Sequence, residues 1–211
     1  MRLLFTYLAC VFLGGMSVNV FAQDKVIFED DFNHSKKFEK NWFDNSTEEK
    51  TGKIEYKKRG GIDNSGCVKI SNPERGAIRI MHSLNNLEPG KLYRMSAMMK
   101  CVGVKEGRGA VIYLNPDGLE QGWNASKFVY DDMEWSEIYM DFVPNQKGEA
   151  TICCALGFPW GTYNGGKALG EVYYDNVRVE PIGDKLYHRE SKHFIVSLDK
   201  DKVTITDKQM D

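Results

Sequence analysis

Three aromatic side chains lie in stretches of sequence that favour exposure, where they could bind a ligand by stacking. Trp123 stands in LEQGWNASKF, and Trp160 and Tyr163 stand in GFPWGTYNGGKALG. Glycine-rich polar connections of this kind run over protein surfaces. An exposed ring packs on a flat apolar face such as the C–H face of a sugar, while planar polar groups bind the hydroxyls. The alternative is that each ring packs over a sheet edge. The candidate hydroxyl partners are Gln121, Asn124, Asn164 and Arg79.

The other two tryptophans are less suited to binding. Trp135 lies in the alternating run EWSEIYMDFV, which predicts a core position. Trp42, in EKNWFDNS, could lie either in the core or at the surface.

The carboxylate of Asp175 lies within a strand-like run of alternating residues. GEVYYDNVRVEP, residues 170–181, alternates like a strand, and on that alternation Asp175 shares a face with Tyr173, Val177 and Val179. An isolated ionised carboxylate in an apolar interior is too costly to persist. Asp175 is therefore expected to be neutralised, hydrogen-bonded to backbone amides, or bound to a cation.

Known catalytic constellations are missing from the sequence. It contains no G-x-S-x-G, no H-E-x-x-H and no Walker A segment. Its acids form no tight inward-facing pair of the kind that a glycosidase needs. The four histidines, His34, His82, His188 and His193, have no metal-ligand spacing. We therefore expect a protein without catalysis of its own.

Composition and charge exclude several partners. The 211 residues are 42% hydrophobic and 27% charged, which predicts one globular domain, or one domain plus a fragment. Lys and Arg number 28 against 30 acids, so the chain as a whole has no basic field to attract nucleic acid or an anionic membrane.

The first 22 residues resemble a secretory signal peptide. Arg2 precedes an apolar run that ends in Val20-Phe21-Ala22, a small-residue cleavage site. We expect export to the periplasm, the extracellular space or the cell surface, with no membrane-spanning segment. A lipoprotein signal through Cys10 is the less favoured alternative, because its apolar region would be unusually short.

The remaining cysteines are Cys67, Cys101, Cys153 and Cys154. An oxidising compartment permits disulfides, but a chain of this length does not need them for a core. We expect small buried hydrophobic side chains, with one disulfide among the four left open. The adjacent pair, Cys153 and Cys154, should point to opposite faces of one strand.

From residue 25 to 180 the pattern is one of strands and turns, with no convincing amphipathic helix. About nine short alternating or apolar runs are separated by turn sequences such as Glu88-Pro89-Gly90-Lys91. They predict an all-β fold, an antiparallel β-sandwich. The runs cover residues 25–32, 53–59, 67–71, 77–83, 92–102, 110–115, 134–143, 150–158 and 171–180.

Three segments in this region resemble a known family. PGKLYRMSAMMKCVG, DDMEWSEIYMDFVPNQKGEATICCALGF and GEVYYDNVRVEP are similar to carbohydrate-binding modules of the galactose-binding-like type, usually grouped as families 4, 9 and 22. The resemblance covers about residues 25–181, assigns residues 23–181 to one module and implies a jelly-roll sandwich. It also implies a polysaccharide or glycan as partner and a catalytic domain linked to the module. The same scaffold also serves as a non-binding spacer and, less often, as a polysaccharide-degrading enzyme.

The resemblance further implies a structural calcium ion. In such modules an Asp of the last strand often holds calcium together with a Glu near the first strand, which here are Asp175 and Glu29. Calcium prefers several oxygen ligands, including carboxylates. Hydrogen bonding of Asp175 to backbone amides without metal is the equal alternative.

Residues 182–211 form a separate region. HFIVSL and KVTIT are strand-like and are split by the charged turn DKDK. This region is either a hairpin packed on the sandwich or the start of an incomplete second domain, because a hairpin alone is only marginally stable.

Overall fold

The computed structural model describes residues 25–44, 52–115, 124–158, 166–182, 187–190, 194–199 and 202–207, the last three ranges by their strands. The helices are α1 (Ser35–Asn41) and a 3-10 turn (Ile62–Asn64). The strands are β1 (Phe28–Asp30), β2 (Phe43–Asp44), β3 (Lys53–Lys57), β4 (Cys67–Gly76), β5 (Ile78–Leu84), β6 (Tyr93–Lys105), β7 (Ala110–Leu114), β8 (Asp131–Phe142), β9 (Ala150–Leu156), β10 (Ala168–Pro181), β11 (Tyr187–Glu190), β12 (Phe194–Asp199) and β13 (Lys202–Asp207).

Two antiparallel sheets form the sandwich. The six-stranded sheet has the order β3-β4-β10-β6-β8, and β1 pairs with β10 as well. The four-stranded sheet has the order β2-β5-β9-β7. The prediction of an all-β antiparallel jelly-roll sandwich is confirmed, and each of the nine predicted runs contains a strand. The two-residue strand β2 of the sandwich was not predicted.

The main core lies between the two sheets. Alternate residues of each strand point into it, because side chains along a strand face opposite sides in turn. In β9, Ile152 and Cys154 belong to this core, whereas Cys153 and Ala155 belong to a second buried cluster. The two adjacent cysteines therefore do face opposite sides, as predicted, and yet both are buried.

A bulge in β10 changes the face on which its residues lie. Asp175 pairs with Met98 of β6, but the next pair is Arg178 with Ser96, so β10 carries one extra residue there. Asn176, at the bulge, has a φ of 47°. The core residues before it are Val172 and Tyr174, and those after it are Val177 and Val179. The prediction that Tyr173 shares a face with Val177 and Val179 is wrong, because strict alternation does not survive the extra residue.

The helix α1 is a further correction, since no helix was predicted. Its seven residues are too few to show a helical period in the sequence. Phe38 of this helix packs on the core, with its ring centroid 6.0 Å from that of Phe32 and 5.9 Å from that of Tyr56. No helix in the part of the chain that the structure describes is long and apolar enough to cross a bilayer.

Trp42 directly follows this helix and is buried. This residue caps the C-terminus of α1 and is 6% exposed. Its Nε1 donates to Oδ2 of Asp30 at 3.0 Å, and its ring lies 5.8 Å from Phe28 and 5.7 Å from His82. Trp42 is therefore a core residue of the β1–α1 corner.

The prediction of a core position for Trp135 is wrong. Trp135 is only half-buried, in β8 at the edge of the six-stranded sheet. The register between β6 and β8 shifts on either side of Cys101, whose partner is Met133. The buried residues of β8 are Ile138, Met140 and Phe142.

Beyond the sandwich, β11, β12 and β13 form an antiparallel three-stranded sheet. The two strand-like runs predicted there correspond to β12 and β13. Whether residues 182–211 begin a second domain stays a prediction.

Candidate functional site

The outer face of the four-stranded sheet carries a second hydrophobic cluster. We call it the aromatic face. Its residues come from β5, β7 and β9 and from the segment that follows β9: Met81, Val111, Tyr113, Cys153, Ala155 and Phe158 are buried, and Ala125 and Phe128 pack against them. A sheet face that looks away from the main core is usually polar, so a buried apolar cluster here indicates that other parts of the chain cover this face.

Aromatic rings and arginines form a continuous row across this face. Arg79 donates from Nη1 to the Tyr113 hydroxyl at 2.9 Å. The Tyr113 ring lies 4.9 Å from the Phe158 ring in an edge-on arrangement, and Phe158 lies 5.9 Å from Phe128. The Arg108 guanidinium lies 5.4 Å from the Phe128 centroid and 5.6 Å from the Phe158 centroid, within the range of a cation–π contact.

Burial affects the ionisation of the Tyr113 hydroxyl in this row. Tyr113 is fully buried, and desolvation raises the pKa of its hydroxyl well above the ordinary value. The hydroxyl therefore stays neutral at neutral pH and accepts the hydrogen bond from Arg79.

The two connections that carry the predicted binding residues each have one end at the aromatic face, the first at Ala125 and the second at Phe158. The first leaves β7 after Leu114, whose N–H donates to Asn124 O at 2.9 Å. The second begins after Phe158, whose N–H donates to Gly166 O at 2.7 Å. Leu114 pairs with Ile152 and Ala110 with Leu156, so these two bases lie at opposite ends of the β7–β9 pair.

Trp123, Trp160 and Tyr163 themselves lie outside the described residues, as do Gln121 and Asn164. Trp123 directly precedes Asn124, and Trp160 comes two residues after Phe158. The predicted aromatics thus belong to the two connections that border the aromatic face. Of the predicted polar partners, Arg79 lies on this face, and Asn124 stands at its border with its backbone O bound to Leu114.

Sequence reasoning missed Tyr113, Phe158, Phe128 and Arg108. A signal was present in the runs AVIYL and ATICCAL, in which Thr151 is the one clearly polar residue. Such a run indicates a strand buried on both faces. The outer face of such a strand must be covered or used for binding.

Thiol chemistry is not favoured anywhere in the sandwich. Cys67, Cys101, Cys153 and Cys154 are all buried, and none of the four is in a disulfide bond. Desolvation raises the pKa of Cys67 to about 11 and that of Cys101 to about 12, and it raises the pKa of Cys154 well above the ordinary value. A thiol that stays protonated is a poor nucleophile and a poor metal ligand.

The carboxylate of Asp175 is fully buried and is held by three hydrogen bonds. Its Oδ2 accepts from Ile62 N at 3.0 Å and from Ser65 Oγ at 2.6 Å, and its Oδ1 accepts from Asn176 N at 2.7 Å. A side chain at Gly61 would collide with Asp175 and with Gly66 O, so the loop before β4 closes tightly over the carboxylate. Desolvation raises the pKa of Asp175 above its ordinary value, against the lowering effect of the three donors.

The loop before β4 lies at the point along β10 where the strand paired on one edge changes from β4 to β1. β4 pairs with β10 up to Tyr174, and β1 pairs with it from Val177 onward. Asp175 lies in the gap between these two partners and ties the gap to the 3-10 turn. The carboxylate thereby ties the loop between β3 and β4 to β10, and none of its three hydrogen-bond donors is charged.

Glu29 and Asp175 lie in different environments, since Glu29 is exposed and Asp175 is buried. Glu29 lies on β1, opposite Arg178, whereas its neighbour Asp30 is buried and accepts from Phe32 N and Trp42 Nε1. Among the described residues, no group of three or more His, Cys, Asp or Glu could hold a metal ion. Asp175 has its donors in place without a cation, and calcium at Glu29 and Asp175 stays a prediction.

The outer face of the six-stranded sheet differs from the aromatic face. We call it the ionic face, because its charged side chains pair with one another across and along the strands. The pairs are Lys57–Glu55, Lys69–Glu171, Arg94–Asp141, Lys100–Glu134 and Arg178–Glu180, with N–O distances of 2.6–3.2 Å. Exposed ion pairs of this kind favour contact with water rather than with an apolar ligand.

Comparison with solved structures identifies the fold. No protein-family model matches the chain, and no curated protein matches its sequence. In the structure of the family 22 module joined to the family 10 catalytic module of Clostridium thermocellum xylanase 10B, complexed with xylohexaose, the match has a TM-score of 0.51 at 14% identity. It covers 76% of this chain, which spans 29% of the length of that two-module protein.

Two isolated modules are matched over nearly their whole length. One is the first family 22 xylan-binding domain of a Paenibacillus barcinonensis xylanase, with a TM-score of 0.50, 8% identity, and coverage of 75% of this chain and 96% of that one. The other is the C-terminal family 22 module of Clostridium thermocellum xylanase 10B, with a TM-score of 0.50, 13% identity, and coverage of 77% and 98%. The protein therefore has the galactose-binding-like sandwich fold of carbohydrate-binding modules.

Proposed function

We propose that this protein is an exported, non-catalytic carbohydrate-binding module that binds a polysaccharide or glycan across the aromatic face. The observation that carries the proposal is the position of the two connections. Both border this face, at opposite ends, and between them they carry Trp123, Trp160 and Tyr163. Aromatic residues carried by two connections whose bases lie at opposite ends of the β7–β9 pair are candidates to bind successive sugars of one extended chain.

The protein part of such a site supplies rigidity rather than catalysis. Tyr113 and Phe158 are 0% and 3% exposed, so they form a fixed floor that positions the bases of both connections. The described residues of this face bring no carboxylate pair together, and retaining or inverting hydrolysis needs such a pair. The sandwich fold, shared with isolated sugar-binding modules, agrees with a binding role.

The proposal is tested by isothermal titration against a panel of neutral and acidic polysaccharides. We expect the wild-type protein to bind at least one of them. Trp160→Ala should weaken that binding by about 1–3 kcal/mol, the range for an aromatic residue at the centre of a binding site, with little change in melting temperature. Trp123→Ala should act in the same direction.

A second function is favoured by the burial of the aromatic face itself. A floor whose rings are almost fully buried could serve packing alone, and the module would then be a structural spacer beside a catalytic domain. The absence of binding by folded protein to the whole panel, together with a large loss of stability in Trp160→Ala, would favour the spacer.

We also propose calcium binding at Glu29 and Asp175 as a separate test. A ligand that binds only the native state raises the melting temperature by mass action. Calcium should therefore raise the melting temperature of the wild type and have a smaller effect on Glu29→Gln and Asp175→Asn, because calcium affinity depends on carboxylate charge. A wild-type melting temperature that responds neither to calcium nor to EDTA would leave Asp175 as a hydrogen-bonded core carboxylate.

A further inference from the structure

A cavity lies at one end of the ionic face, in the six-stranded sheet and not in the sheet that carries the aromatic face. Its volume is 470 Å³. Sites for small molecules usually measure about 300–1,000 Å³, so the cavity is large enough for a ligand. Its lining comes from the start of β3, from residues 71–73 of β4 and from residues 169–171 of β10.

The cavity lies where the regular pairing of β4 with β10 is interrupted. Asn72 pairs with Gly170 and Gly76 pairs with Ala168, so three residues of β4 lie opposite one residue of β10. β4 therefore bulges at this point, and the three extra residues, beginning with Pro73, are exposed. Gly170 has a φ of 117°, a conformation that favours glycine.

Polar side chains from two adjacent rows of the sheet form one wall of the cavity. In the first row Lys53 lies opposite Ser71, which in turn lies opposite Glu171. In the second row Glu55 of the cavity wall lies opposite Lys69. The wall thus brings an ammonium group, a hydroxyl and two carboxylates together.

The carboxylates of this wall have partners, whereas its donors are free. Glu171 accepts from Lys69 Nζ at 2.6 Å and from the Tyr173 hydroxyl at 2.9 Å, one bond to each carboxylate oxygen. Each oxygen keeps a further lone pair for a ligand. Among the described residues, the Lys53 ammonium and the Ser71 hydroxyl have no hydrogen-bond partner.

Asn72 belongs to the same lining and is only partly satisfied. It is 1% exposed, and its Nδ2 donates to Ala168 O at 3.2 Å and to Leu156 O at 3.4 Å. Its Oδ1 has no partner in the part of the chain that the structure describes. A buried amide oxygen without a donor is uncommon, so the protein does not use all the polar groups around this cavity.

We propose that this cavity is a second sugar-binding site, which binds a single sugar unit or the end of a glycan chain. A sugar hydroxyl both donates and accepts, so it matches a wall on which free donors lie beside carboxylates. The ligand needs no charge of its own, because Glu55 and Glu171 each have a lysine partner. Leu169 and Pro73 supply apolar surface for the C–H groups of the ring. The site is separate from the aromatic face and goes beyond the proposed function.

The test is a nuclear magnetic resonance titration of the isotope-labelled protein with xylotetraose, cellotetraose and galactotriose. We expect the backbone amide signals of Ser71, Leu169 and Gly170 to shift saturably with at least one of these sugars. The dissociation constant should be about 0.1–1 mM, as for a small neutral ligand with few contacts. Shifts that do not saturate, or no shifts at these amides with any of the three sugars, would overturn the proposal.

Two pairs of variants test the lining. Ser71→Tyr fills the cavity and should remove the shifts, whereas Ser136→Tyr is the matched control, because Ser136 is exposed on β8 of the same sheet and does not line the cavity. Lys53→Met removes a free donor and should weaken binding by about three- to tenfold. Lys58→Met, at an exposed lysine outside the lining, should change nothing. Lys53 is exposed, so its variant should fold even if Ser71→Tyr does not.

Trp160→Ala separates this site from the proposed function. It should weaken binding at the aromatic face and leave the shifts at Ser71 and Gly170 unchanged. Loss of those shifts in Trp160→Ala, or equal effects within either pair of variants, would overturn the second site and leave binding at the aromatic face standing. Saturable shifts at the cavity without any effect of Trp160→Ala on glycan binding would instead contradict the proposed function alone.

Discussion

The outer faces of the two sheets differ in the side chains that they carry. On the ionic face each strand alternates between core residues and charged residues, and the charges pair, as Lys69 does with Glu171 at 2.6 Å. On the aromatic face β7 and β9 are largely apolar on both sides, and Arg79 and Arg108 contact aromatic side chains. The ionic face is thereby matched to water, whereas the aromatic face is matched to a ligand or to neighbouring parts of the chain.

The two sheets also differ in how they are held in place. The ionic sheet supplies the wide hydrogen-bonded platform, in which β10 pairs with β1, β4 and β6. The four-stranded sheet is buried on both faces, because a second hydrophobic cluster covers its outer side.

The largest expected difference between the two faces is in stability after loss of a ring. Phe158→Ala removes a buried side chain from the aromatic face and should cost about 3–5 kcal/mol in the free energy of unfolding. Tyr139→Ala removes a ring that is 56% exposed on the ionic face, and it should cost less than about 0.5 kcal/mol. Urea unfolding of both variants measures the difference. Similar losses would show that the ionic face also depends on its aromatic contacts, such as that of Tyr139 with Arg94.

A smaller difference is expected when only a hydroxyl is removed. Tyr113→Phe takes away the buried oxygen that accepts from Arg79, and it should cost about 1–3 kcal/mol because a buried donor loses its partner. Tyr173→Phe removes a hydroxyl that donates to Glu171 on the half-exposed ionic face, where water can replace it. We expect at most about 0.5–1 kcal/mol there. Thermal melting of the pair is the measurement, and a larger loss in Tyr173→Phe would reverse the comparison.

The smallest expected effect is a pH-dependent change in stability at the Lys69–Glu171 pair of the ionic face. The Lys69 hydrogen bond is the main cause that holds the pKa of Glu171 below its ordinary value. A carboxyl with a lowered folded pKa stabilises the protein above its unfolded pKa and loses this contribution as pH falls through the folded value. Because the pair is partly exposed, Glu171→Gln should cost about 0.5 kcal/mol at neutral pH.

The same variant should have no effect once the pH is far enough below the folded pKa for Glu171 to be protonated in the wild type. Melting temperatures of wild type and variant across the acid range should therefore converge as the pH falls. A constant difference at all pH values would mean that Glu171 contributes by packing and not by its charge.

The positions of the strands followed from the sequence, because period-two alternation and turn residues are local properties. The same local reasoning failed where a neighbouring strand sets the geometry. Tyr173 and Trp135 were assigned to the core by alternation, yet a bulge in β10 and the edge position of β8 leave both half-buried. Sequence alone carries no mark of a bulge, because the extra residue arises from pairing with β6.

The candidate site divides in the same way. The sequence by itself determined that tryptophans stand in polar, glycine-rich connections and that a carboxylate interrupts the last strand of the sandwich. Only the tertiary structure decided that Tyr113, Phe158, Arg79 and Arg108 meet on one sheet face, and that Asp175 is held by the loop before β4. The physical reason is separation along the chain. Ile62 and Asp175, or Arg79 and Tyr113, become neighbours only when long-range strand pairing brings them together, and no local pattern encodes that pairing.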